Sequence, residues 1–306
     1  MLLFGLPLSI TLGSVTAWFL FPSLSLYEVA ILGTMLAATD AALGKAVVSN
    51  QSVPHHLREG LSAESGLNDG LCVPFILLFI ALEQGSAVIG ERVAMELLFE
   101  ELGIGVVVGA SVAFIAARAL LAARASGWLG HVWQRMSVPA LALIVFAVAQ
   151  SLHGSGYIAA FVGGLCFSAT MREDVHTLVV PAEGVGEVMA MLAWLLFGLM
   201  LVPAALPLIT WDKVLYAILS LTAIRILPIM LSLWGTGEKL QSKLFLAWFG
   251  PRGLASLAFA TLVWVEDIPA AETLVSVTIL TVMISLVAHG VSAGPFARRF
   301  DNPNSS

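Results

Sequence analysis

Residues 59–83 read EGLSAESGLNDGLCVPFILLFIALE, a stretch long enough to cross a lipid bilayer as one helix. Its second half is almost wholly apolar, yet its first half carries Glu64, Asn68 and Asp69. A charge left alone at the centre of a membrane helix costs about 3 kcal/mol or more. A chain keeps such groups there when they line a cavity or answer one another. The reading of this one segment therefore decides the fold class and shows where function is to be sought.

The rest of the chain agrees with a membrane setting. Of its 306 residues, 59% are hydrophobic and 11% charged, and the mean hydropathy is +0.96; an average soluble domain carries roughly 25% charged residues. The expected class is an all-α polytopic membrane protein. Ten helical segments fit the bilayer template, near 5–21, 25–48, 59–83, 94–124, 137–152, 155–170, 184–202, 212–234, 241–265 and 270–292. The opening MLLFGLPL has no basic n-region, which fits a start within a longer membrane domain better than a cleaved signal peptide. Cys72 and Cys166 sit in apolar stretches and support neither a disulfide framework nor a metal site. No basic patch suited to nucleic acid and no nucleotide-binding motif is present in the sequence.

Alternating these segments across the bilayer sorts the cations. One face collects Lys45, Arg58, Arg118, Arg124, Arg135, Arg172, Lys239, Lys243, Arg298 and Arg299, the other only Arg92 and Lys213. By the positive-inside rule both termini are expected in the cytoplasm, with the chain in the cell (inner) membrane. Acidic residues gather opposite, in EQGSAVIGERVAMELLFEE and VEDIPAAE.

Five ionisable residues remain at membrane depth: Asp40, Glu64, Asp69, Arg225 and Arg252. Positions 64 and 69 point about 140° apart on a helix, whereas Ser65 and Asp69 share a face. One carboxylate can thus face a cavity with a hydroxyl beside it while the other faces a neighbouring helix. Arg225, in LTAIRILPIML, cannot discharge and needs a carboxylate nearby. Pairing it with Glu64 leaves Asp69 free to titrate. Thr39, Asp40 and Gly44 interrupt segment 25–48, and Gly250, Pro251 and Gly253 around Arg252 interrupt segment 241–265. Two interrupted helices, one in each half, are the sequence mark of a transporter site built on inverted repeats, with Arg252 compensating charge at the crossing.

The pieces TDAALGKAVVSNQSVPHHLREGLSAESGLNDG, HGSGYIAAFVGGLCF, TAIRILPIM, GPRGLASLAFA and SLVAHGVSAGP occur in that order. Together they resemble the monovalent cation:proton antiporter-1 family, the bacterial sodium/proton antiporters and their animal exchanger relatives. The resemblance implies that Asp69 binds Na+ or a proton in turn, that Thr39 and Asp40 lie beside it, and that Glu64 pairs with Arg225. Asn68 before the aspartate implies one-for-one, electroneutral exchange. Members have about thirteen helices, so the resemblance implies that the first three are absent from this chain. It further implies a core bundle in 1–83 and 212–297, a linker helix at 94–124, a partial dimerisation domain at 137–202 that would support a homodimer, and a cytoplasmic tail at 298–306. Ala41 stands where many members have proline, which makes the interruption after Asp40 less forced.

The expected activity is secondary transport, not enzymatic catalysis. Na+ at Asp69, held also by Asp40, Ser65 and backbone oxygens, competes with H+, and alternating access carries one against the other with no cofactor besides the transported ions. A cation channel or uniporter using the same carboxylates, and a truncated chain without transport activity, are the alternatives. A membrane hydrolase is disfavoured because Asp40 and Asp69 lack a flanking nucleophile or metal-ligand spacing. His55 and His56 sit in a loop where pH sensing is conceivable. His153 and His289 are expected to fill polar gaps, Glu183 and Glu187 to lie at an interface at the start of segment 184–202, the tryptophans to form an interfacial belt, and Gly163 and Gly164 to permit close helix packing.

Overall fold

The computed structural model describes residues 1–40, 43, 52–85, 91–128, 130–171 and 175–298. Among these, every regular element is helical, as apolar segments in lipid require, because a helix satisfies its backbone groups internally where no water can. In chain order the helices are α1 (Leu2–Leu20), α2 (Leu26–Met35), α3 (His55–Gln84), α4 (Glu91–Ala125), α5 (His131–Ser151), α6 (Gly156–Met171), α7 (Val175–Leu196), α8 (Trp211–Leu221), α9 (Ala223–Ser232), α10 (Leu240–Trp248), α11 (Leu254–Val265) and α12 (Ala271–Ala297). Seven stretches among the described residues are long and apolar enough to cross a membrane, while α2, α6 and α11 are shorter apolar helices. The chain divides into two compact units, Met1–Val88 with Leu196–Ser306, and Ile89–Leu195.

The first unit holds both interrupted helices. Ser25 starts α2 with a capping box: its hydroxyl accepts from the Glu28 N–H at 3.0 Å, and the Glu28 carboxylate accepts from the Ser25 N–H at 2.8 Å. The other Glu28 oxygen accepts from the Ala270 N–H at 2.9 Å, tying the start of α2 to the turn before α12. That double duty explains why Glu28 is buried. The interruption of segment 25–48 begins after Met35, and residues 41–42 and 44–48 of that segment, Gly44 among them, lie outside the described residues. Segment 241–265 parts into α10 and α11 around residues 249–253.

Three boundaries differ from expectation. Segment 212–234 is broken at Thr222 into α8 and α9, where the Thr222 hydroxyl donates to the Ile218 carbonyl at 2.6 Å and the backbone leaves the helical region. Helix α7 starts nine residues before the expected 184 and continues through a π-helical turn, Phe197–Leu201, and short turns to Leu208. Glu183 and Glu187 therefore lie within a helix and are exposed, not at a helix start. Lys213 is buried in the first turn of α8 and donates from Nζ to the Ser276 hydroxyl at 2.8 Å.

In the second unit α4 and α6 approach at backbone distance. A Cβ on Gly109 would lie 2.4 Å from the Ala159 carbonyl oxygen, so only glycine fits there. Gly163 faces the Gly109 carbonyl across this contact, whereas Gly164 has nothing within reach and plays no packing role. Ala113, Ala117, Leu120, Phe167, Met171 and Leu178 form the adjoining core. His153 is exposed in the turn after α5 with a positive φ, so it fills no gap between helices.

Candidate functional site

A helix cut short in a membrane leaves orphan carbonyls at one end and orphan N–H groups at the other. In the first unit the two interruptions satisfy each other. The carbonyls of Met35, Ala37 and Ala38, at the end of α2, accept from the Ser256 hydroxyl at 2.8 Å and from Arg252 Nη1 at 3.0 Å each for the last two. In the opposite sense, the Leu254 N–H that opens α11 donates to Asp40 Oδ2 at 2.8 Å. The Asp40 N–H donates to the Pro251 carbonyl, also at 2.8 Å. Each charge thus sits at the helix end of opposite partial charge, Arg252 at the C-terminus of α2 and Asp40 at the N-terminus of α11.

This exchange needs glycine at two places. A Cβ on Gly253 would fall 2.1 Å from Asp40 Oδ2, and one on Gly250 would fall 2.5 Å from Arg225 Nε. Pro251 between them carries no N–H, so the extended strand has one donor fewer to satisfy.

Helix α3 lies against the crossing through its polar face. Asn68 Nδ2 donates to Thr39 Oγ1 at 2.8 Å, the Thr39 N–H donates to Asn68 Oδ1 at 3.2 Å, and the Thr39 and Ser65 hydroxyls are 3.1 Å apart. The amide grips one residue as donor and acceptor at once, which a carboxylate could not do. Asp69 follows directly and is half-buried. Its Oδ1 is buried and accepts no hydrogen bond from any described residue. Asp40 and Arg252 are close enough to act on it electrostatically.

One turn earlier, Glu64 points elsewhere. Arg225 Nη1 and Nη2 donate to its two oxygens at 2.7 and 2.8 Å, and Nη2 also approaches the Leu246 carbonyl at 3.5 Å, near the end of α10. Residues 64 and 69 are thus separated in role as in direction. The buried guanidinium of Arg252 has no such partner: Nε and Nη2 donate to no described residue, and its charge is met by the α2 carbonyls instead.

The structure therefore brings together Thr39, Asp40, Ser65, Asn68, Asp69, Arg252 and the Gly250–Gly253 strand, with Glu64 and Arg225 as a flanking ion pair. Three contributors were not singled out from the sequence: Ser256, Ser285 and the contacts of His289. The Arg252 N–H donates to Ser285 Oγ at 2.8 Å, and His289 Nε2 lies 2.9 Å from the Trp248 carbonyl. Their signal is legible in retrospect, a serine and a histidine four apart in the otherwise apolar SLVAH.

The arrangement is one of two mutually capped half-helices with a carboxylate beside them, and the chain as a whole is similar to known proteins in sequence and fold. The chain spans about half the length of the curated relatives it matches. The K(+)/H(+) antiporter NhaP of Alkalimonas amylolytica is 24% identical over 94% of this chain and 49% of its own length. The K(+)/H(+) antiporter NhaP2 of Shewanella oneidensis is 24% identical over 96% of this chain and 51% of its own. The sodium proton antiporter MjNhaP1 of Methanocaldococcus jannaschii superposes with a TM-score of 0.79 over 97% of this chain and 77% of that one, at 22% identity, and shares the fold. The family model for the transmembrane sodium/hydrogen exchanger matches residues 1–299. By that match across nearly its whole length, the chain belongs to the sodium/hydrogen exchanger family.

Proposed function

We propose that this chain exchanges a monovalent cation for a proton across the cell membrane by alternating access, with Asp69 as the group for which the two ions compete. The observation that carries the reading is the buried Oδ1 of Asp69, which accepts no hydrogen bond from any described residue and lies beside a crossing where the Asp40 carboxylate is already engaged by the Leu254 N–H. A carboxylate with an unused oxygen in low dielectric seeks a proton or a cation, and cannot hold both at once. Ser65, Asp40 and backbone oxygens at the crossing supply the further ligands for a dehydrated cation. Arg252 and the Glu64–Arg225 pair keep the remaining charge balanced, so that the crossing moves when Asp69 is neutralised by either ion. With Asn68 contributing no charge, exchange is one-for-one. No cofactor enters the cycle.

Na+ is the cargo first expected from the Asn68-Asp69 sequence, and K+ is the competing assignment that the names of the half-length relatives raise. The basic residues place both termini on the cytoplasmic side. Association into a homodimer through 137–202 follows from the family resemblance.

The test is dequenching of a pH-sensitive dye in everted vesicles holding the whole chain, titrated with Na+, Li+ and K+. Wild type is expected to move protons on cation addition, and Asp69→Asn to reduce that movement to background at equal membrane abundance. Cation-dependent proton movement surviving in the Asp69→Asn variant would end the assignment.

A further inference from the structure

Helix α10 ends at Trp248, and α11 begins only at Leu254, so the break between them must be held by something outside both helices. Phe249 makes a tight turn, with the Gly250 N–H donating to the Trp248 carbonyl at 2.8 Å. The same carbonyl lies 2.9 Å from His289 Nε2. On the far side of the break, the Arg252 N–H donates to Ser285 Oγ at 2.8 Å, and Ser285 Oγ lies 3.2 Å from His289 Nδ1. Ser285 and His289 are one turn apart on α12, so one face of one helix holds both ends of the break.

The hydrogens have a consistent placement. A serine that accepts from the Arg252 N–H donates its own O–H to Nδ1, and a neutral ring protonated at Nε2 donates to the Trp248 carbonyl. The Ser285 carbonyl lies 2.9 Å from Nδ1 and is the alternative partner, and a ring that donated to it and to the Trp248 carbonyl together would be protonated at both nitrogens. The charged groups that act on the ring are Arg252 and Arg225. Trp248 stacks on the ring at 5.2 Å, and Phe249 meets it edge-on at 6.2 Å, which fixes its plane.

We infer that His289, acting through Ser285, is a positioning residue for exchange: it latches the α10–α11 break so that Arg252 is aimed at the carbonyls of Ala37 and Ala38. This deepens the exchange reading above and rests on it for its functional consequence. Without the latch, the Arg252 N–H loses its acceptor and the strand that carries the guanidinium is held from the α2 side alone. The polarity around Asp69 then loosens while every ion ligand is still present.

The test uses the whole chain in lipid nanodiscs and two readouts. The first is amide hydrogen exchange of the peptide covering 249–256, which needs no transport activity. Ser285→Ala and His289→Phe, the latter keeping a stacking ring, are expected to lower its protection by about tenfold or more. His289→Gln, whose amide can donate to Trp248 and accept from Ser285, is expected to stay within about threefold of wild type. The second readout is the pH profile of exchange in vesicles. Ser285→Ala is expected to move the half-maximal point to alkaline pH by about half a unit, because a guanidinium that is no longer aimed gives less support to an ionised carboxylate. Wild-type protection in both Ser285→Ala and His289→Phe would overturn the latch. If His289→Phe fails to insert, Ser285→Ala decides alone, since it removes a single hydroxyl. A wild-type chain with no exchange activity would sink the functional reading, while the amide measurement would still judge the latch.

Discussion

Arg225 and Glu64 share two hydrogen bonds of 2.7 and 2.8 Å between side chains only 4% and 5% exposed. A planar fork meeting a carboxylate in this way satisfies both charges without water. Truncating one partner leaves the other buried and uncompensated, so Glu64→Gln and Arg225→Gln are each expected to destabilise the chain by about 3–5 kcal/mol. The reversed pair, Glu64→Arg with Arg225→Glu, is expected to recover part of that loss. Thermal melting in detergent checks both; a swap that recovers nothing, or single variants that melt like wild type, would remove the pair from its structural role.

Gly253 offers a sharper steric test. A methyl group there would collide with Asp40 and push its carboxylate off the Leu254 N–H. Gly253→Ala is expected to cost about 1–3 kcal/mol of stability and most of the exchange rate. Gly164→Ala, where a Cβ meets nothing, is expected to be neutral or to stabilise α6 by up to about 1 kcal/mol. Equal effects at the two glycines, read by melting and vesicle assay, would count against the packing account.

Asn68 both donates to and accepts from Thr39. An aspartic acid can imitate that grip only while protonated, since its ionised form has no donor and adds a second charge beside Asp69. Asn68→Asp is therefore expected to approach wild-type stability at low pH and to lose about 1–3 kcal/mol relative to it as pH rises. Melting temperature against pH, compared with wild type, reads this directly. A difference that grows toward acid would refute the donor argument.

One buried oxygen of the Asp69 carboxylate accepts no hydrogen bond from any described residue, and a group left so costs stability. Asp69→Asn is expected to raise the stability of the folded chain by about 1 kcal/mol even as it silences exchange. A marked fall in melting temperature for this variant would mean that the carboxylate serves the fold itself.

Much of this was legible in the sequence because charges in hydrocarbon have few explanations. The five-residue spacing of Glu64 and Asp69 separates them on a helix, and the structure gives one to Arg225 and leaves Oδ1 of the other without a donor among the described residues. The Gly-Pro-Arg-Gly run announces a break, and one lies there. What the sequence concealed depends on partners distant in the chain. Nothing local to Arg252 says that its guanidinium will meet carbonyls of Ala37 and Ala38 in place of a carboxylate, because those acceptors exist only once α2 has ended. The break at Thr222 was hidden because no Gly or Pro lies within five residues of it, and the early start of α7 by Pro181, which reads as a terminator but sits inside the helix. The burial of Lys213 was not legible because its acceptor, Ser276, is sixty-three positions away.

The mutual capping of the two interruptions has a mechanical corollary. Sliding one half-helix past the other would strip Met35, Ala37, Ala38, Pro251, Asp40 and Arg252 of their partners together, in a medium that offers no replacement. Under the proposed exchange, cargo at Asp69 would be ferried by the knot as a single piece, and whatever hinge permits the journey belongs outside it.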